Sequence, residues 1–564
     1  MRKGVSEAIR GARGGTVQVL IAPTGYGKTS AVHYMWDELS ERWGRVVHVL
    51  PLRAIVSDAA SKAVERGVPL EEVSYQAAID EVQTEGGKQV RKSPYMFSRY
   101  VVTTYDSFSF SLYAAPVAEL SRVHAHRDVG LLAAAGGGVL FDEAHLVLAT
   151  DEADASEEGR KVFTVLCHEI ELLSRHLQRP VVLATATLPA PMIWGLVEAL
   201  EGLEVRVHLC LGKRGLEYYR SYGLPVEEHG LDPDFGDHYE KYKKHVRTRI
   251  SSGSLEDDAL KALEEYPRVA VFCNTVARAV GVYKRLKDRA DAEVILIHSR
   301  FTENDKDAKV KRVEQLLRGG RVLVVSTQVL EAGVDFDFDA VVTEVAAPGA
   351  LIQRAGRAYR NLDERCGEGG LIVVNISDDS LSSARAVYPG EAVEATARYL
   401  SSSLGGEGFF DWRFAKEKPC FVDLLAAVGL SPSVDYSLYA PLNNLVRFRL
   451  LSENIGDILK ELDEWVEGAL VRDSALVPIL TERGTVTVSL DYLKRNLKRK
   501  RDKVLELKDK EAKAVFSDGS YRRVNLQRLF ARPLTTLYWL ARSDEEFRGL
   551  KAREGAYNPE VGLP

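Results

Sequence analysis

Residues 22–29 read Ala22-Pro23-Thr24-Gly25-Tyr26-Gly27-Lys28-Thr29, and this stretch decides the fold. An apolar run, Val17-Gln18-Val19-Leu20-Ile21, precedes it and reads as a buried strand; Ser30 to Leu39 follows and reads as a helix. Strand, glycine-rich turn and helix together make an anion site, because backbone N–H groups converge there and the helix dipole favours negative charge. In such a loop Lys28 reaches the β- and γ-phosphates of a nucleotide and Thr29 holds Mg²⁺. The first position is ordinarily Gly and is Ala22 here, so the assignment calls for a second signal.

That signal is Asp142-Glu143-Ala144-His145, which ends the apolar strand Gly138-Val139-Leu140-Phe141. A carboxylate at a strand's carboxyl end lies in the crevice where parallel sheets bind ligands. Asp142 can hold Mg²⁺ through water, and Glu143 can orient and deprotonate the attacking water. An acidic pair after a strand is ordinarily a solvated loop; the upstream phosphate loop makes the catalytic reading the stronger one.

Strand-like runs alternate with helical patterns at 17–22, 46–51, 100–104, 138–142 and 180–187, and again at 268–273, 293–298, 321–326, 340–345 and 370–375. Alternation of this kind predicts parallel sheets covered on both faces. The expected organisation is a first domain over 1–210, a linker and second domain over 211–385, and a mostly helical accessory domain over 386–564. A length of 564 residues accommodates this. No apolar run reaches the ~18 residues of a membrane span, and Met1-Arg2-Lys3-Gly4 leads into no secretory h-region. Cys167, Cys210, Cys273, Cys366 and Cys420 lack metal-ligand spacing and read as thiols of a reducing cytoplasm. The many charges and few Gln and Met hint at a thermophile. A net charge of −6 neither announces nor excludes a nucleic-acid partner, since local patches set phosphate contacts. One basic run, Lys494-Arg495-Asn496-Leu497-Lys498-Arg499-Lys500-Arg501, reads as a solvated helical face or a phosphate-binding strip.

In the second half, Ser326-Thr327-Gln328-Val329-Leu330-Glu331-Ala332-Gly333-Val334-Asp335 follows a strand, and Gln353-Arg354-Ala355-Gly356-Arg357-Ala358-Tyr359-Arg360 comes later. Arg354, Arg357 and Arg360 fall three apart, which on a helix sets them on one face. Clustered arginines repel one another and need an anion; a γ-phosphate in a cleft between two lobes supplies it.

These segments, with PLRAIVSDA (51–59), TTYDSF (103–108), TAT (185–187) and FCNT (272–275), resemble a superfamily 2 DEAH-type helicase with two tandem RecA-like domains. Within it, APTGYGKT, His298-Ser299-Arg300-Phe301 and the unit STQVLEAGVDFDFD…TEVAAPGALIQRAGRAYR look most like the helicase of type I CRISPR systems. The resemblance covers about 20–380. It implies ATP and Mg²⁺ as cofactors, with Thr24, Gly25, Tyr26, Gly27, Lys28, Thr29 and Asp335 around the nucleotide. It implies Arg357 and Arg360 as arginine fingers with Gln353 beside them, and His145, Thr185, Thr187 and Arg354 as the coupling set. It implies Arg53, Thr104, Asn274 and Thr327 on the nucleic-acid backbone, which suits a motor that must grip any sequence.

The family usually reads adenine with a Gln before the phosphate loop; the leader Met1 to Thr16 has none. The chain has no His-Asp dipeptide, and its nearest cluster, His124-Ala125-His126-Arg127-Asp128, reads as a surface loop. The resemblance therefore implies a helicase moving 3′-to-5′ on single-stranded DNA opened by a Cascade-type RNA-guided complex, with an HD-domain nuclease on a separate chain. A general repair or RNA helicase, or a nucleotide-gated scaffold without turnover, remains the alternative.

Overall fold

The computed structural model describes the chain except residues 1, 52, 78–80, 119–125, 146–156, 332–335, 361–368, 429–432, 450–453, 467–468, 471–474, 499–503 and 542–545. Its first sheet has ten strands. From one edge they run Val226–Glu228, Glu204–Leu209, Thr16–Ile21, Val181–Thr185, Gly138–Phe141, Val46–Leu50, Tyr100–Thr104, Val73–Gln76, Gln89–Lys92 and Val82–Gln83. All neighbours pair in parallel except the last two. The five central strands expected from the sequence are buried at every position. Both faces are covered, which is why these runs are continuously apolar.

A second sheet of seven strands runs Glu293–Ile297, Val322–Ser326, Arg268–Phe272, Ala340–Glu344, Gly370–Asn375, Val246–Ser251 and Glu407–Gly408. The last pair is antiparallel. The chain is thus α/β, with two tandem RecA-like domains. The expected linker contributes to both sheets: Val226–Glu228 extends the first and Val246–Ser251 joins the second. Val246–Ser251 reads VRTRIS and is half exposed, so its charged alternation hides it from an apolar-run search.

The C-terminal region carries the expected helices and also a six-stranded sheet built from Leu476–Thr481, Gly484–Ser489, Leu507–Lys508, Glu511–Phe516, Tyr521–Asn525 and Phe547–Lys551. Val477, Ile479 and Val486 of this sheet share a core with Leu255, Ala262 and Val271 of the second lobe. The helices Tyr436–Asn444, Ile455–Val466 and Pro533–Ala541 pack instead on the first lobe, where Leu442, Leu459 and Tyr538 meet Phe110, Tyr113 and Val165. The region therefore leans on both lobes. Among the described residues, no helix is long and apolar enough to cross a membrane.

Candidate nucleotide site and nucleic-acid face

The loop after Thr16–Ile21 turns through two left-handed glycines, Gly25 at φ +78° and Gly27 at φ +88°, and Gly27 opens the helix Lys28–Tyr34. A side chain at either position would be strained. Lys28 Nζ donates to the Ala22 and Pro23 carbonyls at 2.9 and 3.1 Å, which fixes the ammonium across the loop. Burial pulls this ammonium below its ordinary pKa; Glu143 and Asp142 oppose that and Arg360 adds to it. Tyr26 points away from the loop: its ring meets Phe235 edge-on at 4.8 Å, its hydroxyl accepts the Asp232 N–H at 3.1 Å, and the Arg2 guanidinium lies 4.4 Å from both rings.

The strand carrying Thr185 lies between those leading to the phosphate loop and to Asp142. Thr29 Oγ1 donates to Asp142 Oδ2 at 2.6 Å, and His48 Nε2 meets the same oxygen at 3.2 Å. Burial pushes the Asp142 carboxyl up, but the His48 and Thr29 bonds and the Lys28 charge outweigh it and hold the group below its ordinary pKa. Glu143 has the opposite balance. Burial raises it and Asp142 adds to the rise, against Lys28, Arg357 and Arg360. Its Oε2 is buried with no hydrogen-bond partner. Its backbone sits at φ +50°, an unfavourable setting for a non-glycine residue, and is held there by the bond from its own N–H to Asp142 Oδ1 at 2.9 Å. A carboxylate of raised pKa whose Oε2 makes no hydrogen bond, with the His145 Nδ1 3.5 Å away, suits a base that takes a proton from water. His145 Nδ1 meets Thr185 Oγ1 at 3.1 Å, and Thr185 Oγ1 also accepts the Thr187 N–H at 3.2 Å. Burial lowers His145 to about 3, so it couples the two strands as a neutral ring.

The three arginines do not share one helical face. The helix Pro348–Ala355 ends before Arg357, because Phe338 and Ala358 pair as a β-bridge that pulls the chain out of helical geometry. Arg354 is fully buried and donates to Glu331 at 2.7 Å, to Asn274 Oδ1 and Thr343 Oγ1 at 3.0 Å each, and to Tyr388 OH at 3.2 Å. Arg357 Nη2 donates to the Glu331 carbonyl at 2.5 Å. Arg360 has its N–H bonded to Asp337 Oδ1 at 2.8 Å, and its charge reaches Lys28 and Glu143 across the cleft. The lobes are in contact here: a Cβ on Gly356 would stand 3.9 Å from Thr24 Oγ1. Gln353 is buried and its Nε2 has no partner.

Arg53, Asn274 and Thr327 follow strand carboxyl ends, and Thr104 is itself the last residue of its strand. Arg53 Nη1 donates to Thr487 Oγ1 of the C-terminal sheet at 3.3 Å. Thr104 Oγ1 caps the helix Tyr105–Leu112 by accepting the Ser107 N–H. Asn274 is buried, its amide donating to the Val345 carbonyl at 2.9 Å and accepting from Arg354. Thr327 is buried before the short turn Gln328–Leu330. Asp335, His124 and Arg499 to Arg501 lie outside the described residues.

Thr29 and Asp142 offer hard oxygen donors on one side of the cleft, a set that fits Mg²⁺ held with nucleotide phosphates. Among the described residues one further group could hold an ion: His208, Glu227 and His229. There the His208 Nδ1 and His229 Nε2 stand 3.0 Å apart with ring centroids at 5.3 Å and planes within 7°. The nitrogens meet head-on, as in an N–H···N bond, whereas ligands of a tetrahedral ion converge at an angle.

Two functional neighbours escaped the sequence reading. His48, inside the apolar run VVHVL, orients Asp142. Arg413, far beyond the helicase motifs, donates from Nη2 to the Thr24 carbonyl at 3.2 Å and from Nη1 to the Arg360 carbonyl at 3.3 Å. A lone polar residue in an apolar strand is a usable signal for the first; no sequence signal marks the second.

Two RecA-like lobes facing each other across a glycine-rich loop, a strand-end carboxylate pair and two arginines form the arrangement that superfamily 2 helicases share, and this chain resembles that class. The DEAD/DEAH box helicase family matches residues 4–193, and the family described as CRISPR-associated nuclease/helicase Cas3, C-terminal, matches residues 265–363. Within the class the chain is Cas3-like, resembling the helicase of type I CRISPR systems. A CRISPR-associated nuclease/helicase Cas3 of Methanothermobacter thermautotrophicus is 34% identical over 169 residues, which is 28% of this chain and 20% of that protein. The fold matches a crystal structure of T. fusca Cas3–ADP with a TM-score of 0.57 and 20% identity, covering 85% of this chain and 59% of that one. It matches a chain of a CRISPR RNA-guided surveillance complex, pre-nicking, with a TM-score of 0.52 and 19% identity, over 86% of this chain and 59% of that one. The chain thus spans well under two thirds of these relatives' length.

Proposed function

We propose that this chain is an ATP-driven translocase that moves 3′-to-5′ along single-stranded DNA in CRISPR interference. In this reading it acts on DNA opened by a Cascade-type RNA-guided complex, in the cytoplasm, and a separate HD-domain nuclease subunit does the cutting. One observation carries the motor reading: Glu143, with a buried carboxyl oxygen that makes no hydrogen bond, stands between the phosphate loop of one lobe and the charges of Arg357 and Arg360 from the other. A base and two arginines assembled from both lobes suit hydrolysis that depends on lobe closure. Lys28 holds the β- and γ-phosphates, Thr29 and Asp142 would hold Mg²⁺, and Glu143 takes the proton of the attacking water. Bound Mg²⁺ would neutralise charge on the β- and γ-oxygens. Arg357 and Arg360 offset charge developing in the transition state. His145, Thr185 and Thr187 carry the change from the carboxylates to the neighbouring strand.

Arg53, Thr104 and Thr327 supply backbone contacts at the strand ends of both lobes, and Asn274 supports that face by fixing Arg354. Unwinding costs about 1.4 kcal/mol per base-pair step on average, within reach of one ATP. The test is ATP turnover with and without single-stranded DNA. DNA is expected to raise the rate, and added salt to weaken the effect, because phosphate contacts release counterions. Lys28→Ala is expected to abolish turnover, and Glu143→Gln to keep ATP binding while stopping it. RNA stimulating far better than DNA would overturn the CRISPR assignment.

A further inference from the structure

Arg413 lies outside every helicase motif, in the turn after the edge strand Glu407–Gly408. Its position is built from the sequence upward. The Asp411 carboxylate accepts three backbone N–H groups, from Arg413 at 3.1 Å and from Phe414 and Lys416 at 2.8 Å each. That turn is anchored in turn by Trp412, whose ring is buried and whose Nε1 donates to Thr248 Oγ1 at 2.9 Å. The Arg413 guanidinium then runs inward between the Phe414 and Tyr242 rings, at 5.3 and 5.9 Å from their centroids.

What it reaches are the two halves of the nucleotide site. Nη2 takes the carbonyl of Thr24 in the phosphate loop and Nη1 takes the carbonyl of Arg360. A Cβ on Gly25 would stand 3.6 Å from the same Nη2. The Arg360 backbone is thereby held on both sides of its Cα, its N–H by Asp337 and its carbonyl by Arg413. Such a grip sets the direction in which the Arg360 side chain leaves the backbone.

The electrostatics are lopsided. Arg413 is 5% exposed, its Nε has no hydrogen-bond partner, and two peptide carbonyls are neutral acceptors. Burial lowers its pKa, and Arg360 adds a like charge; Asp337 and Asp411 oppose these only through space. Lys28 is also within reach of the Arg360 charge. Burying a guanidinium on carbonyls alone is costly. A polyphosphate in the cleft would offset that cost, because it brings several negative charges to a cluster of cations.

We propose that Arg413 is a positioning residue of the nucleotide site, clamping the phosphate loop to the Arg360 segment so that Arg360 is aimed at the γ-phosphate of a nucleoside triphosphate. The clamp draws a third region of the chain into γ-phosphate sensing. It deepens the ATP-motor reading and rests on it.

The experiment compares the full chain with Arg413→Gln and Arg413→Lys. Its readout is the ratio of affinities for a non-hydrolysable ATP analogue and for ADP, which needs no turnover. It is measured beside kcat, KM and melting temperature. Arg413→Gln is expected to lower the ATP-analogue-to-ADP ratio and kcat by about tenfold. ADP affinity should change less than about twofold and melting less than about 3 °C. Arg413→Lys keeps the charge but cannot span both carbonyls, so it should recover part of the ratio. An unchanged ratio in Arg413→Gln overturns the proposal, as does a loss of ADP affinity equal to the loss for the analogue, which marks a purely structural residue. A wild-type ratio near one overturns it too. Should Arg413→Gln fail to fold, an unchanged ratio in Arg413→Lys overturns it. Absence of wild-type turnover with an intact, Arg413-dependent ratio instead sinks the motor reading and leaves the clamp standing.

Discussion

Glu143 and Glu169 show how burial gives two carboxyls of one lobe different tasks. Glu143 is raised by burial, yet Lys28 and the arginines face it, a balance that suits the base of the proposed hydrolysis. Glu169 lies in the helix Glu157–Glu171 with both carboxyl oxygens buried; burial raises it to about 8 and Asp106 adds to the rise, against the Ser109 hydroxyl, which lowers it. Its folded pKa lies above the ordinary 4.5, so the folded state holds its proton more tightly than the unfolded chain does. Glu169 therefore favours the folded state fully below pH 4.5, and that contribution is lost as pH rises towards 8. Denaturant unfolding across this range should show stability falling with pH in the wild type, with a shallower fall in Glu169→Gln. Identical slopes would mean that Glu169 titrates as an ordinary surface acid.

The helix Pro348–Ala355 works as a bracket more than as a row of fingers. It sends Arg354 inward, where one guanidinium ties Glu331 from the turn after Val322–Ser326 to Asn274 after Arg268–Phe272 and to Thr343 in Ala340–Glu344. It then ends, and the β-bridge at Ala358 turns Arg357 and Arg360 toward the first lobe. Removing one partner of a buried pair leaves the other charge without compensation. Arg354→Ala should thus destabilise the second lobe by about 3–5 kcal/mol, read by denaturant melts. A loss below about 1 kcal/mol would place Arg354 with exposed ion pairs. The spacing of three that suggested a helical arginine face is real in the sequence, but Gly356 and the bridge decide where each side chain goes.

At the scale of the molecule, two lobes meet across the nucleotide site and a C-terminal region leans on both, its sheet on the second lobe and its helices on the first. If cutting belongs to a separate subunit, the purified chain should leave labelled single-stranded DNA intact with Mg²⁺, Mn²⁺, Ni²⁺ or Co²⁺, and degradation should begin when an HD-domain nuclease is added. Cleavage that copurifies with the chain and survives Lys28→Ala would reverse this. Sequence alone determined the two largely parallel sheets, since strands buried on both faces must be continuous apolar runs, and it located the glycine-rich turn before Lys28–Tyr34 and the Asp142–Glu143 pair at a strand end, features that depend on local spacing. It did not determine the half-exposed strand Val246–Ser251, where charged alternation masks the pattern, nor the C-terminal sheet, where Leu476–Thr481 and Glu511–Phe516 alternate burial along the strand. Nor could it set Asn274 and Arg354 in one buried network, or bring Arg413 to Thr24 and Arg360. Those contacts join residues 80, 389 and 53 positions apart, and a bond across such separations is fixed only by how the folded elements pack.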